Sequence, residues 1–437
     1  MNRAQLIRFA FALVLQIVFF ATLNLFDDWT LESMPLKFVG AALLSGAAYL
    51  AAVSNFKIDI SPPKQALLFW SVAVLLRIIA LPLNPGDDLT RNEWEGKVQR
   101  AGFNPYLAPP SDPKLDYLRR DFPQASKINH PELSATDGPA AEVLFRFLSG
   151  ITDRPLLYKI LFAIADLGVA AVLLRLIGGE DRYRAAAWYA WNPLVAYAFA
   201  GAAHSDSLML FAQTSAILVL ARSTSEPESA RQWLWAIIAA ILLGIAISLN
   251  VAAAAVFPVF AFALRWRAVA LAGSVIIALV FALPFRLPNI WSSLGHAAQL
   301  SRLNDLFWWI AESVWDNRHQ RSFHYYPILA ACVIAVSLMF ARNWKRGMLW
   351  AVGTVILLLP VLHAWYVIWI LPIATWRRAY VWHVLSITLF SYYLFWDERL
   401  FGLPWHAEPW LRALIIAPVL ASFIMLAAQK KSAPVAT

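Results

Sequence analysis

Apolar segments long enough to cross a lipid bilayer recur along almost the whole chain, from Leu6 to Met425. A helix of about 20 apolar residues spans the hydrocarbon and satisfies its own backbone hydrogen bonds there. Of the 437 residues, 60% are hydrophobic and only 14% are charged, far from the balance of a soluble globular chain. We therefore predict an all-α polytopic membrane protein in which residues 1–437 form a single membrane domain.

Basic residues predict the orientation of these segments. Arg3 and Arg8 lie at the N-terminal end of the first span. Every second loop carries Arg or Lys, as in the Arg265–Arg267 sequence RWR. Because Lys and Arg mark cytoplasmic loops, this alternation predicts roughly 12 to 14 transmembrane helices with both chain ends in the cytoplasm. The net charge of +9 is explained by topology, so no nucleic-acid partner is predicted.

The longest polar interval, Asp87 to Gly150, lies in a predicted extracytoplasmic loop over residues 84–155. Short interfacial helices are predicted there, with Glu93–Ala101 the first and Asp112–Arg120 the second. A second long outer loop is predicted over residues 286–326.

Asp87 and Asp88 open the first loop, directly after an apolar span. A carboxylate at the membrane boundary can deprotonate an acceptor hydroxyl beside a lipid-borne phosphate, which leaves without a general acid. An ordinary polar helix cap explains the same pair without chemistry.

Several classes of site lack sequence support. No G-x-G-x-x-G, Walker A or H-E-x-x-H motif occurs, so neither a nucleotide cradle nor a zincin site is predicted. The single Cys332 excludes an intramolecular disulfide and a multi-cysteine metal cluster. Only isolated acidic candidates for metal ligands are present, so we predict no metal ligands and no cofactor, and the sequence leaves metal dependence open.

The other polar candidates each have two explanations. Arg91 and His130 suit a phosphate charge or a solvated loop face. His204 and Asp206, in the break HSDS, suit a phosphate or metal contact or a capped helix end. Aromatic residues such as Trp365 suit sugar stacking or an interfacial anchor.

The sequence of the first outer loop, residues 84–155, resembles that of a known protein family, and we call this segment the motif loop. DDLTRNEWEGKVQRAGFNPY followed by INHPE is similar to the first outer loop of bacterial GT-C glycosyltransferases, in particular the polyprenol-phosphate-mannose-dependent mannosyltransferases. WNPLVAYAFAGAAHSDSLML, LSRLNDLFWWI and PVLHAWYVIWILP continue the likeness in the same order, as far as Pro372. The resemblance implies a GT-C fold in the bacterial cytoplasmic membrane, with the active site facing outside.

It also implies inverting transfer of a hexose, mannose in that family, from a polyprenyl-phosphate donor to an extracytoplasmic lipid or polysaccharide acceptor. The general base would be Asp88 or Asp87, with Asp88 favoured. Other positions that match the family and would line the cavity or hold its loops are Arg91, Trp94, Glu95, Asn104, Tyr106, Asn129, His130, His204, Asp206, Asn304, Asp305, His363, Trp365 and Tyr366.

The chain departs from the family pattern at several places. Asn92 replaces a Tyr, Asp137 to Pro139 replaces Tyr-Pro-Pro, Asn250 replaces a common Lys, and Ala364 replaces a Pro. These changes leave the sugar and acceptor open, and Asp137 competes with the aspartate pair for the base role. The alternative function is a transporter or flippase of lipid-linked sugars, since the interruptions at HSDS and LNV resemble broken transporter helices.

Overall fold

The computed structural model describes residues 3–56, 61–152, 154–225, 231–264, 266–298, 303–315, 325–394 and 409–432. Over these residues the chain is helical, and extended pairing is limited to one bridge between Leu303 and Val361. The α-helices are α1 Arg3–Thr22, α2 Met34–Asn55, α3 Pro62–Ala80, α4 Asp87–Arg100, α5 Asp116–Arg120, α6 Pro139–Leu148, α7 Pro155–Ile177, α8 Arg182–Ala190, α9 Pro193–Ala196, α10 Asp206–Ser225, α11 Gln232–Leu249, α12 Phe257–Ala263, α13 Arg267–Ala282, α14 Leu287–Ala297, α15 Trp308–Trp315, α16 Tyr326–Met339, α17 Trp344–Leu358, α18 Leu371–Arg377, α19 Val381–Thr388 and α20 Pro409–Ser432.

The helix lengths confirm an all-α polytopic membrane protein. Within the described ranges, six helices are long and apolar enough to span a bilayer, namely α1, α2, α3, α7, α10 and α11. The pair α13 and α14 passes the same test together but is bent by 89°. Shorter apolar helices lie at Val251–Ala263, Tyr326–Met339, Val381–Leu394 and Trp410–Met425. The predicted 12 to 14 crossings therefore correspond to fewer full-length helices, supplemented by bent and short ones.

The apolar segment Trp188 to Ala202, which by its composition is a candidate span, shows why a long apolar run can become short helices. Pro193 has no backbone N–H, and Asn192 Oδ1 accepts hydrogen bonds from Leu194 N at 2.9 Å and Val195 N at 3.4 Å. This cap ends one helical segment and starts α9, which continues as a π-helical turn over Tyr197–Gly201.

The chain forms two compact units. One comprises residues 1–83, 177–197 and 362–437, and the other comprises residues 84–176 and 198–361. In the first unit α1 packs on α2, α8 packs on α18, and α19 packs on α20. In the second unit α11 packs between α10 and α13, α16 packs on α17, and α4 packs on α6. The single-domain organisation stays a prediction.

The motif loop is a packed part of the second unit. Its first predicted helix is present but begins earlier, at Asp87, after an extended Gly86, because carboxylates in a first turn favour the helix N-terminus. The second becomes a 3₁₀ turn, Pro113–Leu115, followed by α5. Apolar residues of α4, α6 and α7, such as Leu89, Phe145 and Phe162, form one buried cluster.

A glycine allows two of these helices to meet. A Cβ on Gly96 of α4 would lie 2.4 Å from Phe145 O of α6, so only glycine fits at this crossing. The second predicted outer loop, 286–326, contains α14 and α15, while its residues 299–302 and 316–324 lie outside the described residues.

Candidate active site

Asp88 lies in the first turn of α4 with 39% of its side chain exposed. Its Oδ2 is 3.1 Å from His204 Nδ1, and its Oδ1 accepts a long hydrogen bond of 3.4 Å from Asn129 Nδ2. The neighbouring Asp87 is also partly exposed. Each Asp88 oxygen thus has a polar neighbour, while part of the carboxylate remains accessible to a substrate hydroxyl.

The HSD break brings His204 to this carboxylate. Ala203 adopts a left-handed conformation with φ of 64°, and His204 N donates to Ala198 O at 2.9 Å. Gly86 N donates to Ala202 O at 2.9 Å, which ties the start of α4 to the same turn. His204 itself is 4% exposed, so its ring is held in a buried position beside Asp88.

Asp206 and Asn250 form a second contact near this break. Asn250 Nδ2 donates to Asp206 Oδ1 at 2.9 Å, and Asp206 is 7% exposed. Asn250 Oδ1 accepts from Ala252 N at 2.9 Å and so caps the 3₁₀ turn Val251–Val256. α11 ends at Leu249, directly before Asn250.

Arg91 organises the loop segment that carries Asn129. The guanidinium is buried, and its Nε donates to Glu95 Oε1 at 2.8 Å. Its terminal nitrogens donate to four backbone carbonyls, those of Asn129 at 3.1 Å, His130 at 3.3 Å, Leu133 at 2.6 Å and Ser134 at 2.8 Å. Of its two predicted roles, lining the cavity and holding the loop, this geometry supports the second.

Three carboxylates lie close together where α4 packs on α6. Glu95, Asp137 and Glu142 each place one oxygen within 4.8 Å of the other two. Burial raises the pKa of Asp137 and that of Glu142 well above their usual ranges, and the charge of Glu95 adds to both shifts. The nearby Arg91 guanidinium opposes both shifts without cancelling them.

Two departures from the family pattern contact each other. The Asn92 amide, oriented by its neighbours, donates to Asp137 Oδ2 at 3.1 Å and to Asp88 O at 3.0 Å. The following Gly138 donates its N–H to Leu249 O at 3.3 Å, and a Cβ there would lie 2.2 Å from Ser248 O. Asn92, Asp137 and Gly138 therefore form one connected local arrangement.

Other predicted residues hold the loop from inside. Trp94 is fully buried and packs with its ring centroid 5.7 Å from that of Phe122. Asn104 Nδ2 donates to Phe285 O at 2.9 Å, and Tyr106 Oη donates to Asp137 O at 2.6 Å. These contacts tie the NPY segment to the end of α13 and to the carboxylate cluster.

His130 faces outward. Its side chain is 56% exposed, and its Nδ1 lies 3.2 Å from Glu132 Oε1. Its φ of 43° places the backbone in the left-handed region, which helps to turn its carbonyl towards Arg91. The backbone of His130 therefore has a defined role in the loop, while its imidazole lies at the surface.

Asn304 and Asp305 lie at the start of the α15 region. Asp305 is 2% exposed, and its Oδ1 accepts from Trp309 N at 2.9 Å. Asn304 is 7% exposed with φ of 50°. Leu303 N donates to Pro360 O at 3.0 Å. This hydrogen bond pairs the segment with the residues before 363–366, which we call the HAWY turn.

The HAWY turn belongs to the first unit and forms an aromatic cluster. His363 stacks on Trp365 with ring centroids 4.5 Å apart and an interplanar angle of 14°. Tyr366 stacks on Trp369 at 4.2 Å, and His363 Nδ1 lies 2.8 Å from Tyr392 Oη. His363, Trp365 and Tyr366 keep part of their surface accessible, as ring stacking on a sugar requires.

Sequence reasoning missed Glu142 and Gln99. Gln99 Nε2 donates to Glu142 Oε2 at 2.7 Å, and both side chains are buried. The position of Glu142 in the sequence could have indicated a site, because Glu142 lies on the buried face of α6 with Ala141 and Phe145. A carboxylate on an apolar face needs a partner or a ligand.

Comparison with known proteins gives a family. A family model described as the N-terminal domain of alpha-(1->6)-mannopyranosyltransferase matches residues 21–266. No curated protein and no solved structure matches the chain. The matched range includes the motif loop and the HSD break, and it agrees with the predicted resemblance to GT-C mannosyltransferases. Because the match covers more than half of the 437 residues, the chain belongs to this mannosyltransferase family and is a membrane glycosyltransferase.

Proposed function

We propose that the protein transfers mannose from a polyprenyl-phosphate donor to a hydroxyl of an extracytoplasmic lipid or polysaccharide acceptor, forming an α-(1→6) linkage. The observation that carries this proposal is the partly exposed Asp88 carboxylate, held between His204 at 3.1 Å and Asn129 at 3.4 Å. Family membership favours this enzyme over the transporter alternative.

Asp88 acts as the general base. It takes the proton of the acceptor hydroxyl, whose oxygen attacks the anomeric carbon of the donor sugar. The bond between that carbon and the phosphate oxygen breaks with its electron pair, and polyprenyl phosphate leaves from the opposite face. One displacement inverts the anomeric configuration, and the phosphate needs no general acid.

Asp88 is a better base than Asp137. Asp88 is partly exposed beside a histidine and an amide, whereas burial, together with the charge of Glu95, raises the pKa of Asp137 well above its usual range. A base must be ionised and must reach the substrate hydroxyl, and the raised pKa of Asp137 makes it the weaker candidate. Asp87 remains the second candidate for the same role.

His204 and Asn129 position the base. The buried His204 ring restricts the Asp88 side chain, and Arg91 fixes the backbone from which Asn129 reaches the carboxylate. In the first unit, the rings of the HAWY turn keep accessible faces, which suits stacking on a sugar ring.

The test uses purified full-length protein in detergent with a panel of polyprenyl-phosphate sugars and an acceptor extract, with GDP-mannose as a separate donor arm. We expect consumption of polyprenyl-phosphate mannose, stoichiometric release of polyprenyl phosphate, and a new α-linked mannose detected by NMR. Transfer from GDP-mannose in the absence of any lipid-linked sugar would contradict the proposed donor. A β-linked product from a β-linked donor would contradict inversion.

A further inference from the structure

The carboxylates of Glu95, Asp137 and Glu142 come from three different segments of the second unit. Glu95 lies on α4, Asp137 precedes α6, and Glu142 lies within α6. Glu95 is 3% exposed and Glu142 is fully buried, while Asp137 keeps an accessible edge. Since one oxygen of each lies within 4.8 Å of the others, the spacing suits oxygens that share a ligand.

Each carboxylate has one oxygen bound to a fixed donor. Arg91 Nε donates to Glu95 Oε1 at 2.8 Å, Gln99 Nε2 to Glu142 Oε2 at 2.7 Å, and the Asn92 amide to Asp137 Oδ2 at 3.1 Å. These donors fix how each carboxylate is turned, as supporting hydrogen bonds do around metal ligands.

Two further oxygens are buried without a donor. Glu95 Oε2 and Glu142 Oε1 accept no hydrogen bond from the residues that the structure describes. A buried acceptor without a hydrogen-bond partner is unfavourable, and more so when it is charged. Both atoms belong to the cluster, and the Glu95 and Glu142 side chains lie within hydrogen-bonding reach of each other, so either a proton shared by these two or one ligand placed among the three carboxylates accounts for both oxygens.

The charge balance indicates the kind of ligand. If all three carboxylates were ionised, they and the Arg91 guanidinium would carry a net charge of −2 in a largely buried volume, which either protonation or a bound cation must reduce. Oxygen ligands without nitrogen or sulfur favour hard cations such as Mg²⁺ and Ca²⁺. A single divalent ion would balance this charge and bind the two oxygens that lack donors.

We propose that Glu95, Asp137 and Glu142 bind one hard divalent cation, Mg²⁺ or Ca²⁺, which fixes α4, the Asp137 segment and α6 to one another. Water and backbone carbonyl oxygens complete its coordination. This proposal is independent of the sugar donor and of the role of Asp88. The bound cation would hold in place α4, the helix that carries Asp88.

A proton shared between Glu95 and Glu142 is the competing explanation, because it also reduces the charge and satisfies the same oxygens. The substitution Glu142→Gln separates the two. Glutamine imitates a protonated glutamic acid in shape and hydrogen bonding, so it suits a shared proton but removes a cation ligand.

The test measures metal binding without donor or acceptor. Purified full-length protein is dialysed against chelator and titrated with Mn²⁺, followed by electron paramagnetic resonance, and then with Mg²⁺ and Ca²⁺ in thermal unfolding. We expect about one equivalent of bound Mn²⁺, its displacement by Mg²⁺ or Ca²⁺, and a Tm rise of about 4 °C or more at saturation.

Glu142→Gln should weaken Mn²⁺ binding by at least about 10-fold and remove the Tm response. Glu132→Gln is the matched control, since Glu132 lies in the same loop with its side chain 62% exposed, and it should leave both unchanged. If Glu142→Gln does not purify as a monodisperse protein, Asp137→Asn replaces it. No saturable Mn²⁺ binding, or binding unchanged by these variants, would overturn the proposal.

A cation-insensitive Glu142→Gln variant, together with wild-type protein that shows no metal response, would support the shared proton instead. Because no sugar is transferred in these measurements, their outcome is separate from the outcome of the transferase assay.

Discussion

The motif loop and the HAWY turn differ in the kind of side-chain contacts that they contain. In the motif loop, charged and amide side chains have fixed partners, as in the contact between Asp88 and His204 and in that between Arg91 and Glu95. In the HAWY turn, aromatic rings stack on one another and keep accessible faces. Under the proposed function, proton transfer would use the rigid polar contacts of the motif loop, whereas sugar recognition would use the accessible ring faces of the turn.

This difference has a physical basis. A general base works only when its carboxylate is held within hydrogen-bond reach of the proton that it removes. Ring stacking tolerates small displacements because the attraction is spread over a face. Substitutions in the loop should therefore reduce stability or kcat, and substitutions in the turn should mainly raise KM.

Arg91→Ala should have the largest effect on stability. It leaves Glu95 as an unpaired buried carboxylate and frees four carbonyls of residues 129–134, and breaking a buried ion pair costs about 3–5 kcal/mol. Thermal unfolding and protease cleavage within residues 84–155 would measure the loss. Arg120→Ala, on the exposed face of α5, is the control. Equal Tm values for the two variants would show that Arg91 does not hold the loop.

His204→Gln should lower kcat by about 10- to 100-fold with a smaller change in KM. The substitution removes the ring nitrogen beside Asp88 but keeps a polar group in the buried site. Steady-state transfer measured across pH would test this, because a displaced base changes the pH profile of kcat as well as its maximum. A variant that raises only KM would assign His204 to substrate binding.

Trp365→Ala should raise the KM for donor or acceptor by about 10-fold and change kcat less, since a lost stacking contact weakens binding. Trp365→Phe should retain most of the affinity because it keeps an aromatic face. If alanine and phenylalanine at this position give the same KM as tryptophan, the turn does not contact the sugar and the proposed division of roles fails.

His130→Ala should have the smallest effect, less than about twofold in kcat or KM, because its imidazole is exposed and contacts only the surface carboxylate of Glu132 within the described residues. It is the matched control for His204, since both are predicted site histidines of the same unit. A large loss in this variant would indicate a substrate contact at the loop surface.

Sequence patterns predicted the helical membrane architecture, which the structure confirms, and a candidate site, which stays a prediction. Apolar length was sufficient for α1, α2, α3, α7, α10 and α11, because each contains an 18-residue stretch of high mean hydropathy with at most two charged residues. It failed for Trp188 to Ala202, where a local cap at Asn192 competes with helix continuation. The carboxylate pair and the HSD break were found because polar residues at the ends of apolar runs are conspicuous.

The fine structure of the site could not be predicted, since it depends on contacts between distant segments. Arg91 resembled a phosphate ligand in sequence, yet the fold surrounds it with four carbonyls and Glu95. Glu142 lies in a largely apolar helix, so no partner for it is apparent in the sequence. The packing of α4 on α6 brings it to Glu95. Asn92 and Asp137 departed separately from the family pattern, and their contact is visible only in three dimensions.

The most direct test is to compare Asp88→Asn, Asp87→Asn and wild-type protein for both donor binding and transfer of radiolabelled mannose from polyprenyl-phosphate mannose. We expect Asp88→Asn to bind the donor nearly as well as the wild type and to lower kcat by about 1,000-fold, the range for loss of a general base, with a smaller loss for Asp87→Asn. Transfer by Asp88→Asn at the wild-type rate would contradict the assignment of Asp88 as the base.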